Sequence, residues 1–352
     1  MRVGVIGAGI MGENHIRTYS QMSGVELAGI ADVNETRVAS LAQQYRTKGF
    51  TDYRELLKQD LDAVSIVVPT TLHLPVAMDV INSGTDLLVE KPIADSVANG
   101  EAIVRMAEKK KVKVMVGHIE RFNPAVIKMK ELIDSGELGK IVSVNTRRVG
   151  PYNPRIRDVG VILDIGVHDI DIISYLLGSE VSEVYAIAGA DIHSQEDHAS
   201  IMLRFGENKA GIVETNWLTP HKSRQFTVIG TGGVGYGDYM NQTVFIHDKE
   251  WVKEAKVDKI EPLRNELEHF MKYCQNGYSL IPTGEDGINA LKVALASIES
   301  YKTKAVVRVK SLFSMRSSIL GPSILTSNKV LLNAGLAAGK HRIMKKRPSE
   351  KV

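Results

Sequence analysis

Hydrophobic and polar positions along the first 135 residues alternate between two periods. Short apolar runs rich in Val and Ile, at 2–6, 25–31, 63–68, 86–89 and 113–116, have the length of buried strands. Between them lie amphipathic stretches of helical length, at 10–22, 35–45, 74–82, 97–109 and 124–135. Asn34 and Ser96 stand where a side chain caps a helix start, and Gly84 and Gly136 where helices stop. Strand–helix alternation of this kind predicts a doubly wound parallel sheet with helices on both faces.

From Lys140 the period changes. Segments 141–149, 184–192, 199–205, 210–218, 225–230 and 243–247 alternate as half-buried strands do, with turns such as Gly206-Glu207-Asn208 and Gly232-Gly233 between them. Successive strands without intervening helices predict antiparallel pairing. Helical stretches follow at 262–276 and 285–300. The expectation is an α/β protein of two domains, 1–120 and 121–310, with the last helix and strand as candidates for a return to the first.

Composition adds bounds. The 352 residues suffice for about two domains, and 43% hydrophobic with 24% charged residues suits a globular chain. One cysteine, Cys274, excludes an internal disulfide framework and a multi-cysteine metal site, and suits a reducing cytoplasm. Neither a signal peptide nor an apolar run of about 18 residues is visible, so the expected locale is cytoplasmic, with no membrane partner. The net charge of +3 is unevenly spread. Residues 311–352 hold eight Lys/Arg and one acid, Glu350, whereas 1–310 hold 36 basic and 40 acidic residues. The basicity belongs to a tail that reads as solvated and poorly ordered, and it gives no ground for a nucleic-acid partner.

The candidate chemistry falls at strand ends, where open α/β sheets bind ligands. Gly7-Ala8-Gly9-Ile10-Met11-Gly12 lies between the first strand and the first helix, and the second strand ends at Asp32. Glycines there permit a tight turn and let backbone N–H groups approach a pyrophosphate, and Asp32 can accept from both ribose hydroxyls while repelling a 2′-phosphate. NAD is therefore favoured over NADP, although Arg37 lies one turn further on. Pro69-Thr70-Thr71-Leu72-His73 and Glu90-Lys91-Pro92 follow the next two apolar strands. In the second half, Asp164 and His168 stand four apart, as on one face of a helix. An acid beside an imidazole can fix its tautomer and tune it for general acid–base work. Zinc competes, but no further His shares the spacing, and no metal is expected.

Together the glycine turn, Asp32, the Pro69–His73 and Glu90–Pro92 clusters and the Asp164/His168 pair resemble the Gfo/Idh/MocA family, over residues 1 to about 310. The resemblance implies NAD(P)-dependent oxidation of sugars, polyols or nucleotide sugars. It also implies a Rossmann domain followed by an α/β domain with a large, mostly antiparallel open sheet that forms the face of homodimers or homotetramers. In its catalytic set His168 takes a hydroxyl proton, Lys91 stabilises the oxygen left behind, and Asp164 orients the substrate. The cofactor contacts it implies are Gly7, Gly9, Ile10, Met11, Gly12, Asp32, Pro69, Thr70, His73, Glu90, Lys91 and Pro92.

Two further segments bear on the substrate. His118–Pro124 contains Arg121 and Asn123, in an Arg-Phe-Asn-Pro run found in many members. Residues 147–157 hold Arg147, Arg148, Arg155 and Arg157 with Tyr152, broken by Gly150, Pro151 and Pro154. They read as an irregular basic loop, either a phosphate-binding one or an exposed one carrying ion pairs. Arg121, Asn123, Arg148, Tyr152, Arg155 and Arg157 are the expected substrate contacts. Both segments are similar to those of members that oxidise the C3 hydroxyl of UDP-N-acetylglucosamine for 2,3-diamino sugar synthesis. A uronate counterpart, a simple polyol or aldose, and a non-catalytic NAD sensor are the alternatives.

Overall fold

The computed structural model describes residues 1–153, 159–276 and 282–310. The apolar runs of the first half become strands buried on both sides. β1 (Arg2–Ile6), β2 (Glu26–Ala31), β3 (Gly49–Phe50), β4 (Ala63–Ile66), β5 (Asp86–Glu90) and β6 (Val114–Gly117) form one parallel sheet in the order β3-β2-β1-β4-β5-β6. Parallel neighbours need crossovers. Those are α1 (Ile10–Ser20), α2 (Glu35–Tyr45), α3 (Tyr53–Leu57), α4 (His73–Asn82) and α5 (Val97–Lys110). Asn34 caps α2 through Arg37 N–H at 3.0 Å, and Ser96 caps α5 through Asn99 N–H at 3.3 Å. β3 and α3 escaped the sequence pattern because two and five residues are too few to show a period.

After α6 (Pro124–Asp134) the chain builds a nine-stranded sheet. Its strands are β7 (Ile141–Pro151), β8 (Glu183–Gly189), β9 (His198–Phe205), β10 (Lys209–Asn216), β11 (Leu218–Gly230), β12 (Val234–Asp238), β13 (Thr243–His247), β14 (Val252–Ala255) and β15 (Val307–Arg308). The order is β14-β13-β12-β11-β7-β10-β9-β8-β15, antiparallel throughout except between β7 and β10. On β9 Ala199, Ile201, Leu203 and Phe205 face inward, and Ser200, Met202 and Arg204 face outward. The inner face packs on α7 (Val167–Leu177) and α9 (Gly284–Thr303). β12 was hidden because Gly235 and Gly237 replace inward side chains, leaving room for Met129 and the Phe226 ring.

One expectation is corrected. Residues 147–151 are not part of an irregular loop: β7 runs unbroken through Pro151, paired with β10 on one side and β11 on the other. Arg155 and Arg157 lie outside the described residues, as does the tail from 311. α8 (Pro262–Asn276) packs back on the first sheet, its Leu263, Leu267 and Phe270 joining Val3, Ile16 and Tyr19 in one core. α9 touches α5 and β6 as well as α7 and β8, whereas β15 adds to the edge of the second sheet. Among the described residues no helix is long and apolar enough to cross a membrane.

Candidate active site

The order of the first sheet reverses between β1 and β4, and a crevice opens beyond the strand ends there. Gly7, at φ +100°, makes the turn after β1, and a Cβ on it would strike Val67 O at 2.2 Å. A Cβ on Gly12 would lie 2.0 Å from Gly7 O, so α1 closes onto the turn only with glycine there. Gly9 differs: a Cβ there meets nothing within 4 Å. Gly9 is also the cap of α1 and supplies no side-chain acceptor, so the first N–H groups of the helix have no side-chain cap. This cradle fits a pyrophosphate. Ile10 is exposed beside it.

Asp32 follows β2 beside the cradle. It accepts from Ala8 N–H at 2.6 Å and from Asn34 N–H at 2.9 Å, which fixes its carboxylate against the turn. Arg37, the cation that could have served a 2′-phosphate, is committed elsewhere. It donates to the carbonyls of Ala8 and Gly9 and pairs with Glu13 at 2.9 Å. The donor set therefore suits NAD. Pro69 and Thr70 open a short 3₁₀ turn after β4. His73, buried, sets its two ring nitrogens against carbonyls, Pro92 O at 2.9 Å and Val68 O at 3.0 Å, and the one that carries the proton donates, between the turn after β4 and that after β5.

From the turn a cleft of about 630 Å³ runs to the second sheet, lined among others by Met11, Val68, Glu90, Lys91, Asn123 and His168. A second cavity of about 280 Å³ shares Lys91, Arg148, His168 and Arg224 with it and adds Asp164, Trp217 and Lys222. Glu90 accepts from Lys91 N–H at 3.2 Å and meets His15 at 3.1 Å. Lys91 reaches across the crevice, donating to the Asp164 carbonyl at 2.6 Å, with its Nζ 3.8 Å from the Asp164 carboxylate. The expected plain helix over 164–168 is corrected here. Residues Ile162–Gly166 wind as a π turn before α7 begins, a feature that often accompanies functional sites. Asp164 thereby turns toward Lys91, and both Asp164 and His168 line the smaller cavity.

His168 is held neutral. Burial, first, and then the charges of Lys91, Arg148, His118 and Arg224 keep its pKa well below the usual 6.5. Tuning toward neutrality by Asp164, as expected from spacing, gives way to depression by burial first and by these neighbours second.

The substrate contacts expected from sequence separate in space. Arg121 is buried and bidentate to Asp171, at 2.8 and 2.6 Å, and reaches Asp286 at 3.2 Å, clamping α7 to α9. Asn123 caps α6 and donates to Glu120 at 3.2 Å while lining the cleft. Arg148 is buried between Glu120 at 2.8 Å and Asp169 at 3.1 Å, over the Tyr239 ring. Burial pushes the Asp169 carboxyl up to about 6 against the pull of Arg148. Tyr152 stacks on His193, centroids 3.8 Å apart, with Trp217 at 5.2 Å. Sequence reasoning missed Glu120, Asp169, Trp217, Lys222 and Arg224. Arg224 was findable, because it shares the inward period of Phe226 and Val228.

Comparisons with known proteins agree with this layout. Residues 1–118 match the oxidoreductase family model of the NAD-binding Rossmann fold, and 126–234 match the GFO/IDH/MocA C-terminal domain. The chain belongs to the GFO/IDH/MocA family. It is an NAD-dependent dehydrogenase acting on hydroxyl groups. Among its relatives is a UDP-N-acetylglucosamine 3-dehydrogenase of Acidithiobacillus ferrooxidans, 28% identical over 84% of this chain and 95% of that protein. A scyllo-inositol 2-dehydrogenase (NAD⁺) of Bacillus subtilis is 28% identical over 88% of this chain and 96% of its own length. The solved structure of the Acidithiobacillus protein superimposes with a TM-score of 0.81 at 27% identity, covering 86% of this chain and 98% of that one.

Proposed function

We propose that this member of the family oxidises the C3 hydroxyl of UDP-N-acetylglucosamine to the 3-keto nucleotide sugar, which an amination would carry to a 2,3-diamino sugar. The observation that carries the reading is the pairing of Lys91 and His168 on the walls of both cavities, with cations around the smaller one. The similarity to the Acidithiobacillus enzyme supports it. Gly7, Gly9, Met11 and Gly12 would hold the NAD pyrophosphate, Asp32 the adenosine ribose, and Glu90 and Lys91 would border the nicotinamide end.

Bound NAD supplies the acceptor for the hydride that leaves C3. His168, neutral, takes the hydroxyl proton as the C–O bond gains double-bond character. Lys91 places its ammonium against the oxygen and offsets the negative charge that develops there. Asp164 holds Lys91 in place and turns its carboxylate to the sugar. The reading extends to a cytoplasmic homo-oligomer. Val142, Tyr185, Ile187, Met202, Ile212 and Tyr236 lie exposed on the outward face of the large sheet, an apolar surface suited to a second copy.

A second reading, an inositol dehydrogenase, draws on the equally similar Bacillus enzyme. Purified protein with NAD and UDP-N-acetylglucosamine, its uronate or myo-inositol separates the two, read by NADH absorbance and by mass spectrometry of the sugar. A 3-keto product from UDP-N-acetylglucosamine is expected. Turnover of inositol with inert UDP-sugars overturns the substrate assignment. Lys91→Ala and His168→Ala should each lower turnover about 10²–10⁴-fold with NAD binding retained.

A further inference from the structure

β11 leaves regular pairing beside the smaller cavity. Leu218 lies opposite Pro151 and Ser223 opposite Val149, so residues 219–222 occupy the span that Gly150 alone fills on β7. Bulges of this kind re-aim side chains next to active sites. Gly150 accommodates this one, since a Cβ there would sit 3.1 Å from Lys222 Cγ. Lys222 thereby comes to line the cavity that also holds Lys91, Asp164 and His168.

Arg224 follows, facing inward and directly opposite Arg148. Like charges opposed on one sheet face are destabilising, so the pair needs anions. The nearby acids are divided unequally. Arg148 takes Glu120 and Asp169 at hydrogen-bonding distance, whereas Arg224 reaches Glu120 only at 3.8 Å. The Lys222 ammonium makes no ion pair or hydrogen bond with a described residue. Two cations on one short edge thus line the cavity that holds the catalytic groups, together with Trp217.

We propose that Lys222 and Arg224 form an anion-binding subsite that takes the diphosphate of the substrate and holds the sugar over Lys91 and His168. The subsite rests on the nucleotide-sugar reading above and deepens it. A diphosphate presents two charges to two cations, and the planar guanidinium can grip it bidentately. A single sugar carboxylate shares the chemistry but engages one of the two cations.

The test uses the NAD-saturated enzyme with UDP and glucuronate as separate probes, alongside turnover of UDP-N-acetylglucosamine. UDP is expected to bind the parent protein, and Lys222→Ala and Arg224→Gln are each expected to weaken it about tenfold, the worth of one charge-assisted contact. KM for the nucleotide sugar should rise in parallel while kcat changes little, and added salt should narrow the differences. Unchanged UDP affinity in both variants, with UDP-N-acetylglucosamine still oxidised, overturns the subsite and leaves the substrate reading standing. Weakened UDP binding in the variants with inert UDP-N-acetylglucosamine does the reverse. Glucuronate binding better than UDP overturns the diphosphate assignment. Retained NAD affinity shows that each variant is folded, and if Arg224→Gln fails this control, the exposed Lys222→Ala decides alone.

Discussion

The two halves of the molecule reach the cleft by different routes. The parallel sheet delivers its residues from strand ends. Gly7, Asp32 and Lys91 each follow directly on a strand, and backbone turns hold them in place. The large sheet delivers Arg148 and Arg224 from within strands, and the charge of Arg148 is carried by acids far away in sequence. A turn can be read from its own residues. A buried charge is explained only by partners that the fold brings to it, and this is why the second half holds both the less legible and the more vulnerable part of the site.

Neighbouring arginines on β7 put that difference to its hardest test. Arg148→Met would leave Glu120 and Asp169 buried without their cation, and we expect a loss of about 3–5 kcal/mol in chemical denaturation. Arg147 points outward to Glu214 at 3.1 Å with both side chains about half exposed, at 47% and 49%. Arg147→Ala should therefore cost about 1 kcal/mol or less. Equal costs for the two would show that the inner face does not depend on buried charge pairing.

The glycine turn allows a matching test in the first half. Gly12→Ala forces a Cβ to 2.0 Å from Gly7 O, a backbone atom with little room to yield, and should destabilise the protein by about 1–3 kcal/mol. Gly9→Ala meets no protein atom and loses only the preference for glycine over alanine at a helix cap, so unfolding without cofactor should shift by about 1 kcal/mol or less. Its NAD affinity should nonetheless fall, since the methyl occupies the approach to the pyrophosphate. A Gly9→Ala protein that binds NAD as tightly as its parent would move the pyrophosphate away from this turn.

Legibility follows the same division. Both sheet types were readable from period, and the strand–turn–helix at Gly7–Gly12 from local order. The stretch 147–151 misled because Gly150 and Pro151 are ordinarily breakers. Here Gly150 faces a bulge on the partner strand and Pro151 is the last residue of β7, so neither costs a ladder bond that matters. Period 2 through Val144, Thr146 and Arg148 was the signal that pointed inward. The Glu120 and Asp169 partners had no such signal, because their meeting with Arg148 depends on the register between β7, α7 and the turn after β6. The π turn at Ile162–Gly166 was equally unreadable, since one wider turn leaves no mark on a five-residue pattern.

The smallest effect concerns the charge that the second half imposes on the first. His168 must be neutral to accept a proton, and activity is lost as pH falls through its folded pKa. Burial and four nearby cationic or titratable neighbours hold that pKa well below 6.5, so the acid limb of kcat/KM should lie below pH 6.5. Arg224 is one of those neighbours and Arg224→Gln removes its charge. Protonation of His168 then becomes easier, the folded pKa rises, and the acid limb should move up toward 6.5. An isosteric loss of packing would change KM or stability but leave the limb where it was. A limb that stays fixed in Arg224→Gln, measured as kcat/KM well below saturation, would separate Arg224 from the proton-transfer step and confine it to binding.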